Sequence, residues 1–162
     1  MNDLSELLKR LLASELEFVL IGGFAGVVHG STQVTRDLDI AMVLEGRQIE
    51  ALRTCLKDLN PRHRMNPGFK PSFMEVPKIL DDVKNLYLQT DLGILDVITE
   101  VTGVGDFDRI RRNAVEIDIF GFKCLVISAE DLITAKDTLG REKDKAVSRE
   151  LKAILRASKP KS

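Results

Sequence analysis

From Leu20 to Ile40 the chain reads LIGGFAGVVHGSTQVTRDLDI, and its last residues place two aspartates, Asp37 and Asp39, two positions apart in an apolar run. Residues i and i+2 of a strand point to the same side. The spacing therefore predicts that both carboxylates share one face while Leu38 and Ile40 turn toward the core. At about 5 Å and an effective dielectric of about 20, two such charges repel by about 3 kcal/mol. A sequence shaped by stability alone avoids this unless both acids are solvated at a strand end or a cation lies between them. Arg36 points to the opposite side of a regular strand, so a divalent metal is the better neutraliser. Oxygen ligands with positions left for water and phosphate suit Mg²⁺.

Gly22 and Gly23 follow the buried strand EFVLIG and open a short helix. Free backbone N–H groups and the positive helix end attract a phosphate there, and small residues let it approach. Gly-Gly also serves a tight turn. The order is not the G-x-G-x-x-G of dinucleotide-binding proteins, nor a Walker A loop, because no Gly-Lys-Ser/Thr follows. A third acid, Asp96, interrupts the apolar run GILDVITEV, which reads as a strand buried on both sides. An unpaired buried carboxylate is costly, so Asp96 needs an accessible strand end or a partner. If its strand pairs beside RDLDI with Asp96 on the same face, three carboxylates converge.

The rest of the chain alternates helices and strands in one domain, 1–162. Leu4, Leu7, Leu8, Leu11 and Leu12 lie at helical spacing, residues Gly23 to His29 form a short helix closed by Gly30, and LDIAMVL is the second strand. Ile49, Leu52, Leu56 and Leu59 predict a helix from Gly46 to Leu59. The proline-rich NPRHRMNPGFKPSF predicts a mobile loop with His63 in solvent. NLYLQT with GILDVITEV, and AVEIDIF with FKCLVI, predict antiparallel hairpins. Ser128 with Asp131 resembles a capping box, and a second helix runs from about Glu142 to Ala157. The fold class is α/β (α+β), a mixed, mainly antiparallel β-sheet flanked by helices. Its core is about 17–127, its C-terminal helices about 128–157, and a basic tail, 158–162, frays.

Composition narrows the function classes. A net charge of −1 argues against bulk DNA binding, which calls for a basic face. No apolar run nears the ~20 residues of a membrane span, and no basic-then-apolar leader is present, so the expectation is a soluble, cytoplasmic protein with no membrane partner. Cys55 and Cys124 have no CxxC or Cys/His spacing and read as buried thiols.

In order, LIGG, RDLDI and LDVI resemble the pattern of the nucleotidyltransferase superfamily typified by DNA polymerase β. The closer resemblance is to small stand-alone members related to abortive-infection toxin nucleotidyltransferases, through Gly-Gly, His-Gly, Thr-x-Asp-Leu-Asp and the helical AKDTLGREKD, over about Glu17 to Leu151. This resemblance implies the nucleotidyltransferase fold and transfer of a nucleoside monophosphate from an NTP to a hydroxyl on an RNA end or a protein, releasing pyrophosphate. It implies that Asp37, Asp39 and Asp96 bind Mg²⁺ or Mn²⁺, with Asp96 activating the attacking hydroxyl. Gly22 and Gly23 would hold the β- and γ-phosphates, and Arg36, Lys136 and Lys143 are further nucleotide-binding candidates; the matching helical segment also carries Arg141 and Asp144. A toxin-like member also implies an antitoxin or regulatory partner protein. Lys136 also reads as a solvated charge, and His29 as a cap on carbonyls or a phosphate contact. The alternative is a catalytically inactive nucleotide- or partner-binding regulatory module of the same fold. Three intact acids favour the enzyme, whereas only two helices after the core favour the module.

Overall fold

The computed structural model describes residues 2–158. In chain order its elements are α1 (Leu4–Ala13), β1 (Val19–Ile21), α2 (Gly22–Val28), β2 (Asp37–Ala41), α3 (Gly46–Leu56), β3 (Arg62–His63), β4 (Asn85–Thr90) and β5 (Gly93–Ile98). There follow β6 (Glu100–Val101), β7 (Gly105–Asp106), α4 (Phe107–Asn113), β8 (Val115–Ile119), β9 (Phe122–Val126), α5 (Ala129–Leu139) and α6 (Glu142–Ser158). Seven strands form one sheet in the order β3-β4-β5-β2-β1-β9-β8, and β6 with β7 makes a separate two-stranded ribbon. Parallel pairing is confined to β2–β5 and β1–β9, so the sheet is mixed and mostly antiparallel. No helix among the described residues is long and apolar enough to cross a membrane.

The helical leucines bury Leu7, Leu8 and Leu11 of α1, whose N-terminus is capped by Asp3. They join Leu38 and Ile40 in the core, on the other side of β2 from its aspartates. Helix α2 ends at Val28, and just beyond it Gly30 turns the chain with a φ of +113° that only glycine adopts readily. Ser128 accepts a hydrogen bond from the Asp131 backbone N–H and starts α5, as its spacing predicts.

Several expectations need correction. The segment after α3 is not a plain loop. A 3₁₀ turn, Lys57–Leu59, replaces the last turn of the predicted helix, and Arg62 and His63 then form an edge strand on β4. His63 is half-buried rather than in solvent, because its ring packs edge-on against Phe73 and its Nε2 meets the Val76 carbonyl at 2.6 Å. Strand β5 alternates buried and half-buried residues and is not buried on both faces. Helix α4 carries no long periodic pattern, since only Phe107 and Ile110 face the core. Cys124 is buried but Cys55 is half-buried. Ser158 is helical, and the rest of the basic tail lies outside the described residues.

One buried cation organises the segment after β3. Arg53 of α3 donates to the carbonyls of Phe73 (2.7 Å) and Pro77 (2.6 Å), and its guanidinium lies over the Phe73 ring. Removing it leaves two carbonyls without their donor, that of Phe73 buried and that of Pro77 partly so. Arg53→Met is expected to lower stability by about 2–3 kcal/mol in urea denaturation, and to speed limited tryptic cleavage after Arg64 as that segment loosens.

Candidate functional site

Parallel register sets Asp39 directly opposite Asp96, and Asp37 opposite Ile94. All three aspartates therefore lie on one face of the sheet. One carboxylate oxygen from each lies within 4.8 Å of the others, and each side chain is half-buried. Antiparallel pairing with β1 places Ile21 opposite Asp39, so Gly22 at the start of α2 comes up under the same carboxylate. Gly22 has φ +70°, and a Cβ there would overlap Asp39. Glycine is required here by close approach as much as by conformation. A side chain at Gly23 would press on Thr35 Oγ1, so packing as well as phosphate access explains that residue.

Electrostatics follow from this convergence. Burial, reinforced by the charges of Asp96 and Asp37, pushes Asp39 from its ordinary 3.8 up to about 7, against the opposing pull of Lys136 and Arg64. Burial also raises Asp96, but Arg64 opposes it. The Arg64 guanidinium holds both Asp96 oxygens, Nε to Oδ1 at 3.1 Å and Nη2 to Oδ2 at 2.6 Å, and it lies over the Tyr87 ring. Asp96 thus has the partner its burial calls for. No motif singled out Arg64. The only available signal was the acid itself, which required a cation from somewhere in the chain.

A second ion cluster flanks the triad from the C-terminal helices. Asp144 is fully buried and accepts from Lys136 Nζ (3.2 Å), Arg141 Nε (2.6 Å), Arg141 Nη2 (3.2 Å) and the Arg141 backbone N–H (3.3 Å). Burial works to raise Asp144 and is outweighed by Arg141 and Lys136, which leave it below the usual carboxylate range. Lys136 is therefore not a solvated helix charge. It is buried, held by Asp144, and borders both clefts beside Asp39. Arg36 precedes β2 and is exposed on the wall of the same cleft as Asp37 and Asp39, because the regular strand begins only at Asp37. Lys143 lines that cleft as well. His29 gives its Nε2 to the Ile127 carbonyl at 2.7 Å, which ties α2 to the end of β9 and leaves that nitrogen engaged.

Two clefts open on the carboxylates. The polar one, about 790 Å³, is lined by Gly23, Arg36, Arg64, Lys136, Arg141 and Lys143 around the three acids. The other, about 320 Å³, runs from Asp39 and Asp96 between the sheet and α5, with Tyr87, Ile98, Leu132 and Leu139 on its walls. An arrangement of three acids ringed by cations suits a ligand that carries both a metal ion and several phosphate oxygens.

No protein-family model and no curated protein matches the sequence. Solved structures do match in shape. An antigenic nucleotidyltransferase-like protein from Paracoccidioides brasiliensis aligns over 98% of this chain and 74% of its own, with TM-score 0.54 and 17% identity. A lincosamide antibiotic adenylyltransferase solved with lincomycin aligns over 93% of each chain, with TM-score 0.55 and 18% identity. The antibiotic-resistance factor ANT(2'')-Ia aligns over 95% of this chain and 94% of its own, with TM-score 0.51 and 15% identity. The chain has the fold of these nucleotidyltransferase-like proteins.

The raised Asp39 has a signed consequence for stability. Between the ordinary 3.8 and about 7 the native protein keeps a proton that the unfolded chain releases, so rising pH favours unfolding across that window and has no further effect above it. In metal-free buffer, Asp39→Asn is expected to match wild type near pH 4 and to become more stable by about 1–3 kcal/mol near pH 8. Melting curves of the two proteins across that range check the sign, and a constant difference at all pH values would refute it.

Proposed function

We propose that the protein is a metal-dependent nucleotidyltransferase that moves a nucleoside monophosphate from an NTP to a hydroxyl on an RNA end or a protein, releasing pyrophosphate. The observation that carries this reading is the convergence of Asp37, Asp39 and Asp96 within 4.8 Å on adjacent strands, closed from below by Gly22. The donor set fits a hard divalent cation, Mg²⁺ or Mn²⁺, because it consists of carboxylate oxygens and because burial together with the charges of Asp96 and Asp37 makes the Asp39 anion costly without positive charge beside it. Such a cation, when bound, would supply positive charge to the phosphoryl group being transferred. Asp37 and Asp39 would hold it with the nucleotide. Lys136 and Arg141, fixed by Asp144, face the triphosphate, and Gly22, Gly23, Arg36 and Lys143 complete its surroundings. Asp96 takes the proton of the acceptor hydroxyl as the new O–P bond forms. A toxin-like role with an antitoxin or regulatory partner belongs to the same proposal, as does the abortive-infection subgroup. Both rest on the sequence resemblance.

One observation favours a second reading, a nucleotide- or partner-binding module without turnover. Arg64 engages both oxygens of Asp96, the acid that catalysis must free. The two readings separate when the protein is incubated with Mg²⁺ or Mn²⁺, each labelled NTP, and total RNA or lysate. The enzyme labels an acceptor, whereas the module only melts at a higher temperature.

Metal and NTP bind the native state and not the unfolded chain, so together they are expected to raise the melting temperature of wild type. Asp39→Asn should abolish both this rise and transfer. Asp96→Asn should keep NTP affinity within about tenfold of wild type while transfer falls by about several hundredfold, since its role is exercised mainly in the transition state. Titration and labelled transfer on the three proteins check the split. Wild-type transfer by Asp96→Asn would make Asp96 a structural acid.

A further inference from the structure

Two clefts meet at the carboxylates, and the smaller one has no role of its own in the reading above. Asp39, Asp96, Lys136 and Arg141 border both, whereas Arg36, Arg64 and Lys143 line the polar cleft alone. An in-line displacement sets the incoming oxygen opposite the leaving one across the phosphorus. Pyrophosphate belongs among the cations, so the attacking hydroxyl enters from the smaller cleft. The walls of that cleft carry two hydroxyl side chains, Tyr87 and Thr102. Thr102 stands in the turn between β6 and β7, off the seven-stranded sheet. Tyr87 lies directly opposite Asp96 in the antiparallel pairing of β4 with β5, and so on the same face as the three acids. Its neighbours Leu86 and Leu88 point into the core, while Tyr87 itself is 36% accessible. The Arg64 guanidinium lies 5.6 Å from the centre of its ring and holds both oxygens of Asp96, so one cation keeps the phenol beside the acid. It is the only tyrosine in the chain.

We propose that Tyr87 is a self-modification site, whose phenolic oxygen takes the nucleoside monophosphate of a bound NTP when no external acceptor fills the cleft. A bond forms between the Tyr87 oxygen and the α-phosphorus, and the bond from that phosphorus to the oxygen bridging the β-phosphate breaks. The phenolic proton passes to Asp96, and pyrophosphate leaves through the polar cleft. The product is a tyrosyl nucleoside-monophosphate ester. This inference rests on the nucleotidyltransferase reading and names one protein hydroxyl for it. A cleft of about 320 Å³ walled by Ile98, Leu132 and Leu139 suits a hydroxyl carried on an apolar body, and Tyr87 supplies one from within. A group already in the chain also avoids the loss of translational freedom that a second molecule meets on binding. The attached nucleotide then covers the approach to Asp96 and closes the cleft to other acceptors.

The test incubates the purified protein with Mg²⁺ or Mn²⁺ and each NTP in turn, without RNA or lysate, and follows intact mass, peptide mapping and tyrosine fluorescence. With one tyrosine and no tryptophan in the chain, that fluorescence reports Tyr87 alone. Wild type is expected to gain the mass of one nucleoside monophosphate, located at Tyr87, as its tyrosine fluorescence falls. The gain should drop at least about tenfold in Tyr87→Phe and in Asp96→Asn. Tyr87→Phe keeps the ring against Arg64 and removes only the hydroxyl, so its melting rise with metal and NTP should persist. The rate per chain should be independent of protein concentration, because attack occurs within one molecule. A melting rise in wild type with no gain in mass, a gain located at another residue, or an equal gain in Tyr87→Phe would overturn Tyr87 as the acceptor. A rate per chain that climbs with concentration would overturn attack within the molecule. If neither the melting rise nor the gain appears in wild type, the nucleotidyltransferase reading falls with it.

Discussion

The parallel pairing of β2 with β5 brings Asp39 opposite Asp96, and much of the structure around it answers the resulting repulsion. A slip of one residue in that register would turn Asp96 to the opposite face and dissolve the site. Two cations approach from different directions, Arg64 from the edge strand and Lys136 from α5, and both lower the energy of Asp39 as an anion. They do not cancel the burden, since Asp39 remains near 7. Cations outnumber the three acids on the wall of the polar cleft, so Asp39 stays raised because it is buried first and because Asp96 and Asp37 lie beside it second.

Asp144 stands apart from the triad and governs how it is approached. A fully buried carboxylate is weak grounds for stability, because desolvation offsets much of the attraction to its partners. Here the four donors come from Lys136 of α5 and from Arg141 in the link between α5 and α6, while Asp144 lies in the first turn of α6, so the interaction fixes the angle between the two helices together with two cations beside the cleft. Glu150, further along α6, fastens the loop before β2 through Thr32 and Gln33. The C-terminal helices thus hold both walls of the polar cleft.

Legibility in the sequence followed period and range. The aspartates of β2 were placed correctly because a two-residue repeat between buried Leu38 and Ile40 admits one orientation. Asp96 was placed because a charge in an apolar run demands an explanation. The cation that supplies it was invisible, since β3 is two residues long inside a proline-rich stretch and Arg64 is 32 positions from its partner. Lys136 was misjudged in part for a similar reason. Its immediate neighbours do not reveal burial, which depends on α6 folding back to deliver Asp144. Arg36 escaped the strand rule because β2 begins one residue later, and seven-residue α4 is too short for a helical period to show.

The Arg64–Asp96 pair bears on how base strength could be linked to acceptor arrival. Burial pushes Asp96 toward a stronger base, and Arg64 pulls it back by binding the ionised form through both oxygens. A carboxylate so held is a poor proton acceptor, because protonating it breaks a charge-assisted pair. For Asp96 to act, at least one of the two contacts must lengthen. An anionic group brought to Arg64 would compete for the same guanidinium and draw it from the acid. Asp96 would then become the more basic carboxylate that burial and the neighbouring Asp37 charge favour. On the proposed reading, one arginine would hold Asp96 in its weakly basic form until such a group arrives. The contact that favours the inactive-module reading would then equally suit the proposed enzyme before its acceptor binds.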